Sequence, residues 1–198
     1  MPYLSLVMSF GNTKKTRGFS LIELLVTLAI STVIAGGILV RFDAFDSVVV
    51  LKSIAYEIAL TVREAQVYAV SAAGDSSGTF RTPYGVAFST AAPQQYLLFE
   101  DSNDNGVYDT GGDTILTTYT MNGKYAIQDL CSQFVCGRNV FSVIFRRPEF
   151  DPIVAETPDV SGASQATIFL GLSDSVATTT SFEVTVGATG QISVTSNP

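Results

Sequence analysis

Residues 19–40, FSLIELLVTLAISTVIAGGILV, are apolar over 22 positions with a single charge, Glu23. As a helix rising 1.5 Å per residue this run extends roughly 33 Å, enough to cross a hydrocarbon core of about 30 Å. A secretory h-region is shorter and ends on a small-residue cleavage motif, which is missing here, so the run predicts a membrane anchor. Past residue 40 the pattern turns amphipathic. Val48, Leu51, Ala55, Ile58, Val62, Ala65 and Ala69 recur every three or four residues, with Lys52, Glu57, Arg63 and Glu64 between them. That spacing predicts a helix with one buried stripe, continuing to about Ala73 and ended by Gly74, Asp75, Ser76, Ser77 and Gly78. An independent coiled coil is the competing reading, but the repeat is short and rich in alanine.

Helical periodicity disappears after Gly78. Short β-prone runs are predicted at 84–89, 95–100, 114–120, 124–128, 140–146, 167–172, 181–186 and 191–195, separated by turns such as Asn122-Gly123 and Ala188-Thr189-Gly190. Residues 147–166 hold Pro148, Pro152, Pro158 and Gly162 and read as an exposed loop. The fold class expected is α+β, with a long N-terminal helix, transmembrane and then amphipathic, packed on an antiparallel β-sheet or β-sandwich head.

Composition narrows the function. The 198 residues suit one globular unit plus a long helix. There is no histidine and no tryptophan. Without histidine, Ser-His and Cys-His nucleophile systems and the usual zinc sites are excluded. No nucleophile elbow, P-loop or dinucleotide fingerprint is present, so no catalytic residue is assigned and an enzyme is not expected. The net charge of −7 makes nucleic acid an unlikely general partner, with only a local patch at Arg146 and Arg147 to attract phosphate.

Before the apolar run stands KKTRG, whose Lys14, Lys15 and Arg17 predict that the N-terminal side stays in the cytoplasm and the C-terminal body is exported. Translation could begin at Met1 or at Met8. Glu23 is costly inside a membrane, about 2.5–3.5 kcal/mol or more, and is a functional candidate by default. One turn from the helix start it could instead snorkel to the interface, where the helix dipole favours an anion. Cys131 and Cys136, in CSQFVC, are spaced to close a small loop, either as a disulfide of an exported domain or as two free thiols, and not as a zinc site.

KKTRG followed by FSLIELLVTLAI resembles the cleavage and assembly signature of type IV prepilins and type II secretion pseudopilins. The resemblance implies a leader at 1–18, a transmembrane and assembly helix at 19–40, the amphipathic half of that helix at 41–75 and a β-rich head at 79–198. It implies that prepilin peptidase cuts after Gly18 and methylates the new terminus at Phe19. Glu23 would pair with a neighbouring subunit's terminal amine. Many members carry a proline midway along the segment, where this chain has Gly36-Gly37. Cleavage would leave eight Lys and Arg against the 18 acids, or −10. YEIALTVREAQVYAV, FEDSNDNGVYDTGGDTIL and FEVTVGATGQISV look like minor pseudopilin H and FimT-type minor pilins, which implies a minor subunit rather than a main shaft pilin. Implied partners are prepilin peptidase, other pilin or pseudopilin subunits, the inner-membrane assembly platform and membrane lipid. The implied location is a single pass through the inner membrane, then a pilus or pseudopilus. The alternative function is a filament-tip subunit whose head binds a surface, an exported protein or DNA.

Asp101, Asn103, Asn105, Val107 and Asp109 follow the spacing of an EF-hand-type calcium loop, with glycine at the sixth position and a backbone carbonyl at the seventh. Position twelve is Gly112 where a bidentate glutamate is usual, and Asp113 would have to supply that carboxylate. A polar turn around Asn105-Gly106 explains the same residues without a metal, so no cofactor is expected beyond this candidate calcium.

Overall fold

The computed structural model describes residues 18–71, 82–133, 135–148, 151–156, 163, 165–173 and 181–197, with the side chains of residues 40–46 outside that description. The chain divides into two compact units, residues 1–44 and 45–198. Helix α1, Leu21–Val70, begins in the first and ends in the second. Leader residues 1–17, the expected Gly74–Gly78 terminator and Pro158 with Gly162 lie outside the described residues.

In the first unit the side chains of Leu21–Leu39 are exposed, and this is a helix long and apolar enough to cross a membrane. Its two threonine hydroxyls are satisfied locally: Thr27 Oγ1 donates to the Leu24 carbonyl at 3.0 Å and Thr32 Oγ1 to that of Ala29 at 2.9 Å. Such back-bonding removes the cost of placing a polar group in hydrocarbon. Gly36-Gly37 lies within the helix, which continues through it without a break.

In the second unit α1 buries Leu51, Ile54, Ala55, Ile58, Val62, Ala65 and Ala69. The small residues let the helix approach two antiparallel sheets, and all three layers share one core. Val48, expected in the stripe, is 38% exposed. The buried position one turn before Leu51 is Ser47, whose Oγ accepts a hydrogen bond from Lys124 Nζ at 2.6 Å.

Sheet A has the order β3-β2-β1-β5-β6 and sheet B the order β4-β7-β8-β9. The strands are β1 Tyr84–Ser89, β2 Gln95–Glu100, β3 Thr114–Thr120, β4 Tyr125–Ser132, β5 Val140–Phe145, β6 Ile153–Glu156, β7 Ala166–Leu172, β8 Ser181–Val186 and β9 Ile192–Asn197. The α+β fold class therefore holds, with the head resolved into two sheets. Asn122-Gly123 makes the step from sheet A to sheet B: Tyr125 N–H donates to the Asn122 carbonyl at 2.9 Å.

One expectation is corrected. Residues 147–166 are not simply an exposed loop, because β6 lies within them, pairs antiparallel with β5 and buries Val154 and Ala155. A four-residue strand at a sheet edge needs no long apolar run, and Pro152 just before it costs no ladder hydrogen bond.

β1 is buried on both faces because sheet A is covered twice. Tyr84, Val86 and Phe88 face the main core, while Ala87 joins Phe99, Val107, Ile144 and Ala155 in a second cluster. Gly85 is required here: a Cβ would stand 2.8 Å from Ile144 Cγ1 and 2.9 Å from the Val143 carbonyl oxygen.

Candidate functional site

Gly18, Phe19 and Ser20 precede α1 and are exposed, Phe19 by 75%. The Leu24 N–H donates to the Ser20 carbonyl at 3.1 Å, which makes Ser20 the residue at the helix N-cap. Glu23 follows three residues later in the first turn. Ser-x-x-Glu is the capping-box pattern, a signal in the sequence that a reading centred on the charge of Glu23 passes over. Its carboxylate stands near the orphan N–H groups of the first turn, where an anion is favoured by the helix dipole.

With that geometry established, residues 13–39 match the family model described as the prokaryotic N-terminal methylation motif. The motif is that of type IV pilin-like precursors. Precursors of this kind are processed by prepilin peptidase, assemble with other pilins and serve as structural subunits rather than as enzymes. The apolar helix carrying the motif is a membrane-anchoring element. Neither a curated protein nor a solved structure matches the chain at the same standard.

The acidic stretch of the head forms the connection between β2 and β3, and the structure brings its expected ligand residues into one loop. Asp101 is fully buried, its Oδ2 accepting the Gly106 N–H at 2.9 Å and its Oδ1 that of Asn105 at 3.2 Å. Asp113 accepts the N–H of Asp109 at 2.7 Å and of Ser102 at 3.2 Å. Asn105 Oδ1 takes the Val107 N–H at 2.9 Å, and Asp109 Oδ2 takes the side-chain amides of Asn103 and Asn105. Gly106, with φ +80°, turns the chain so that these amides converge. The side-chain oxygens that the spacing offers to a cation are thus engaged by N–H donors, with which a cation would have to compete.

Burial pushes the Asp101 carboxyl above its usual range; the Gly106 N–H opposes this, and the Asp113 charge adds to it. Asp113 is raised as well, chiefly by burial, against the hydrogen bond from Asp109. The spacing does not reveal what the loop covers. Val107 and Tyr108 fold back onto the outer face of sheet A, where the Tyr108 ring meets Phe99 edge-on at 5.1 Å and its N–H reaches Ser142 Oγ at 3.3 Å.

Cys131 and Cys136 are joined by a disulfide that closes the turn after β4, where Ser132 and Val135 also exchange backbone hydrogen bonds. Asp129 lies beside both sulfurs, but these are spent in the disulfide, and its Oδ1 accepts the N–H groups of Leu130 and Gly137. The turn also ties the sheets together: Glu156 of β6 pairs with Arg138 at 2.8 Å and accepts the Ser132 hydroxyl. Arg146, a candidate for a basic patch, is neutralised by Asp104 at 2.6 Å.

Proposed function

We propose that this protein is a minor subunit of a type IV pilus or type II secretion pseudopilus. The observation that carries the reading is the methylation motif at 13–39, with Glu23 held in the first turn of an exposed apolar helix. In this reading Lys14, Lys15 and Arg17 hold the leader in the cytoplasm while the head is exported. Hydrolysis of the bond after Gly18 frees the Phe19 amine, which becomes the methylated terminus. The helix then leaves the lipid laterally and enters a bundle of like helices.

Glu23 gives that entry its register. A lone carboxylate in hydrocarbon costs several kcal/mol, on the order of 3, and pairing with a neighbour's terminal amine removes the cost only when the subunits are correctly staggered. The disulfide suits a head outside the reducing cytoplasm. The minor-subunit assignment draws on the likeness of the helix, the acidic loop and the C-terminal hairpin to minor pseudopilin H and FimT-type pilins.

Replacement Glu23→Ala tests the mechanism. Membrane insertion should be unchanged and incorporation into filaments should fall at least tenfold, the factor that roughly 1.4 kcal/mol of lost pairing produces. Unchanged incorporation would eliminate the pairing role.

A further inference from the structure

Asn-Gly occurs twice in the chain, at Asn105-Gly106 and at Asn122-Gly123. An asparagine followed by glycine is open to attack on its own side chain. The next backbone nitrogen needs only a bond to Cγ to close a five-membered ring, and glycine puts no Cβ in the way. Both asparagines are exposed, so neither sequence nor exposure separates them. Their hydrogen bonds do.

In the loop between β2 and β3, both nitrogens that would react at Asn105 are held. Gly106 is buried and its N–H donates to Asp101 Oδ2 at 2.9 Å, which fixes the plane of the attacking nitrogen. The Asn105 amide nitrogen, the leaving group, donates to Asp109 Oδ2. In the turn between β3 and β4 the situation is reversed. Gly123 is exposed, and neither its N–H nor the Asn122 amide nitrogen donates to an acceptor among the described residues. A Cβ at Gly123 would meet Gln94 Nε2 alone, at 3.7 Å, so the backbone has room to turn.

The remaining contact favours reaction. Lys124 N–H donates at 3.1 Å to Asn122 Oδ1, the oxygen on which negative charge develops when nitrogen adds to Cγ. Val107 N–H makes the equivalent bond to Asn105 Oδ1 at 2.9 Å, so this donor is common to both sites and the difference lies in the nitrogens.

We propose that Asn122 is a self-modification site of the head, where the chain converts its own asparagine to aspartate and isoaspartate with water as co-reactant. The Gly123 nitrogen bonds to Asn122 Cγ, the Cγ–Nδ2 bond breaks, and the Gly123 amide proton leaves with Nδ2 as ammonia. Water then opens the resulting succinimide. Opening at Cγ leaves aspartate in an intact main chain; opening at the backbone carbonyl reroutes the chain through Cβ and Cγ as isoaspartate. Either product adds a negative charge to a chain whose net charge is already −7. The rerouted chain lies in the step from sheet A to sheet B, where Tyr125 N–H donates to the Asn122 carbonyl, so isoaspartate loosens that junction. The site belongs to the head alone and does not rest on filament assembly.

The test incubates the full chain in detergent micelles in mildly alkaline buffer. Both sites are followed by peptide mass spectrometry, with electron-transfer fragmentation to tell isoaspartate from aspartate. Asn122 should be converted at least about tenfold faster than Asn105, the ratio expected when one site must first break two hydrogen bonds that the other lacks. Unfolding in guanidinium should bring the two rates together, because the Asn-Gly pair is then alike at both positions. Gly123→Ala should slow conversion at position 122 and leave Asn105 unchanged. Conversion of Asn122 no faster than that of Asn105 in the folded chain, a difference that persists after unfolding, or an Asn122 rate untouched by Gly123→Ala would overturn the proposal.

Discussion

Asp101 Oδ2 accepts the N–H of Gly106 at 2.9 Å from a side chain that is fully buried. This contact closes the β2–β3 connection upon itself and directs Val107 and Tyr108 onto the outer face of sheet A. Removing it leaves the buried Gly106 N–H without its acceptor, at a cost of about 1–3 kcal/mol for the group. Asp101→Ala should therefore lower the unfolding free energy of the full chain in detergent by about that amount, measured by urea titration. A change below roughly 0.5 kcal/mol would show that the loop is held by something else.

The raised carboxyl of Asp101 carries a signed pH dependence. Its folded pKa lies above the unfolded value of 3.8, chiefly through burial, so the folded state binds the proton more tightly. The stability this contributes is complete below 3.8 and is lost as pH rises through the folded pKa. Asp113 shifts in the same direction and is present in both proteins compared. The stability of the wild type minus that of Asp101→Asn should therefore fall as pH rises from 3.8 through the raised folded pKa. A flat or rising difference would contradict the assigned direction.

A calcium ion would have to displace these same hydrogen bonds. On the hydrogen-bonded account, the melting temperature of the full chain is unchanged when EDTA is replaced by millimolar calcium. A rise that grows with calcium concentration, as ligand binding to the native state requires, would instead support the EF-hand spacing.

Ile58 and Leu60 are two residues apart on one helix and have opposite surroundings: Ile58 is fully buried against both sheets and Leu60 is 69% exposed. Ile58→Ala should cost about 2–5 kcal/mol of stability through lost burial and the cavity left behind. Leu60→Ala should stay within about 0.5 kcal/mol in the isolated protein. Comparable losses at both positions would mean that the helix face is misassigned.

Elements with strong local patterns were legible in the sequence. The apolar run and the stripe from Leu51 to Ala69 located α1, and β1, β2, β3 and β8 are where alternation and turn residues predict them. Val48 is out of the stripe because three-residue and four-residue steps back from Leu51 are equally good on periodicity, and only Lys124, 77 positions away, shows that Ser47 faces inward. β6 was hidden because its stability comes from pairing with β5 and not from its own composition. At the N-terminus, residue type and spacing alone put Gly18, Phe19 and Glu23 forward as processing and assembly residues.

The central claim is that the chain is mounted through the bond between Gly18 and Phe19, and the most direct measurement is the N-terminal sequence and mass of the protein purified from its native membrane. The account predicts a chain that begins at N-methylated Phe19, with the leader gone. A mature protein that begins at Met1 or Met8, with Gly18 and Phe19 still joined, would contradict it.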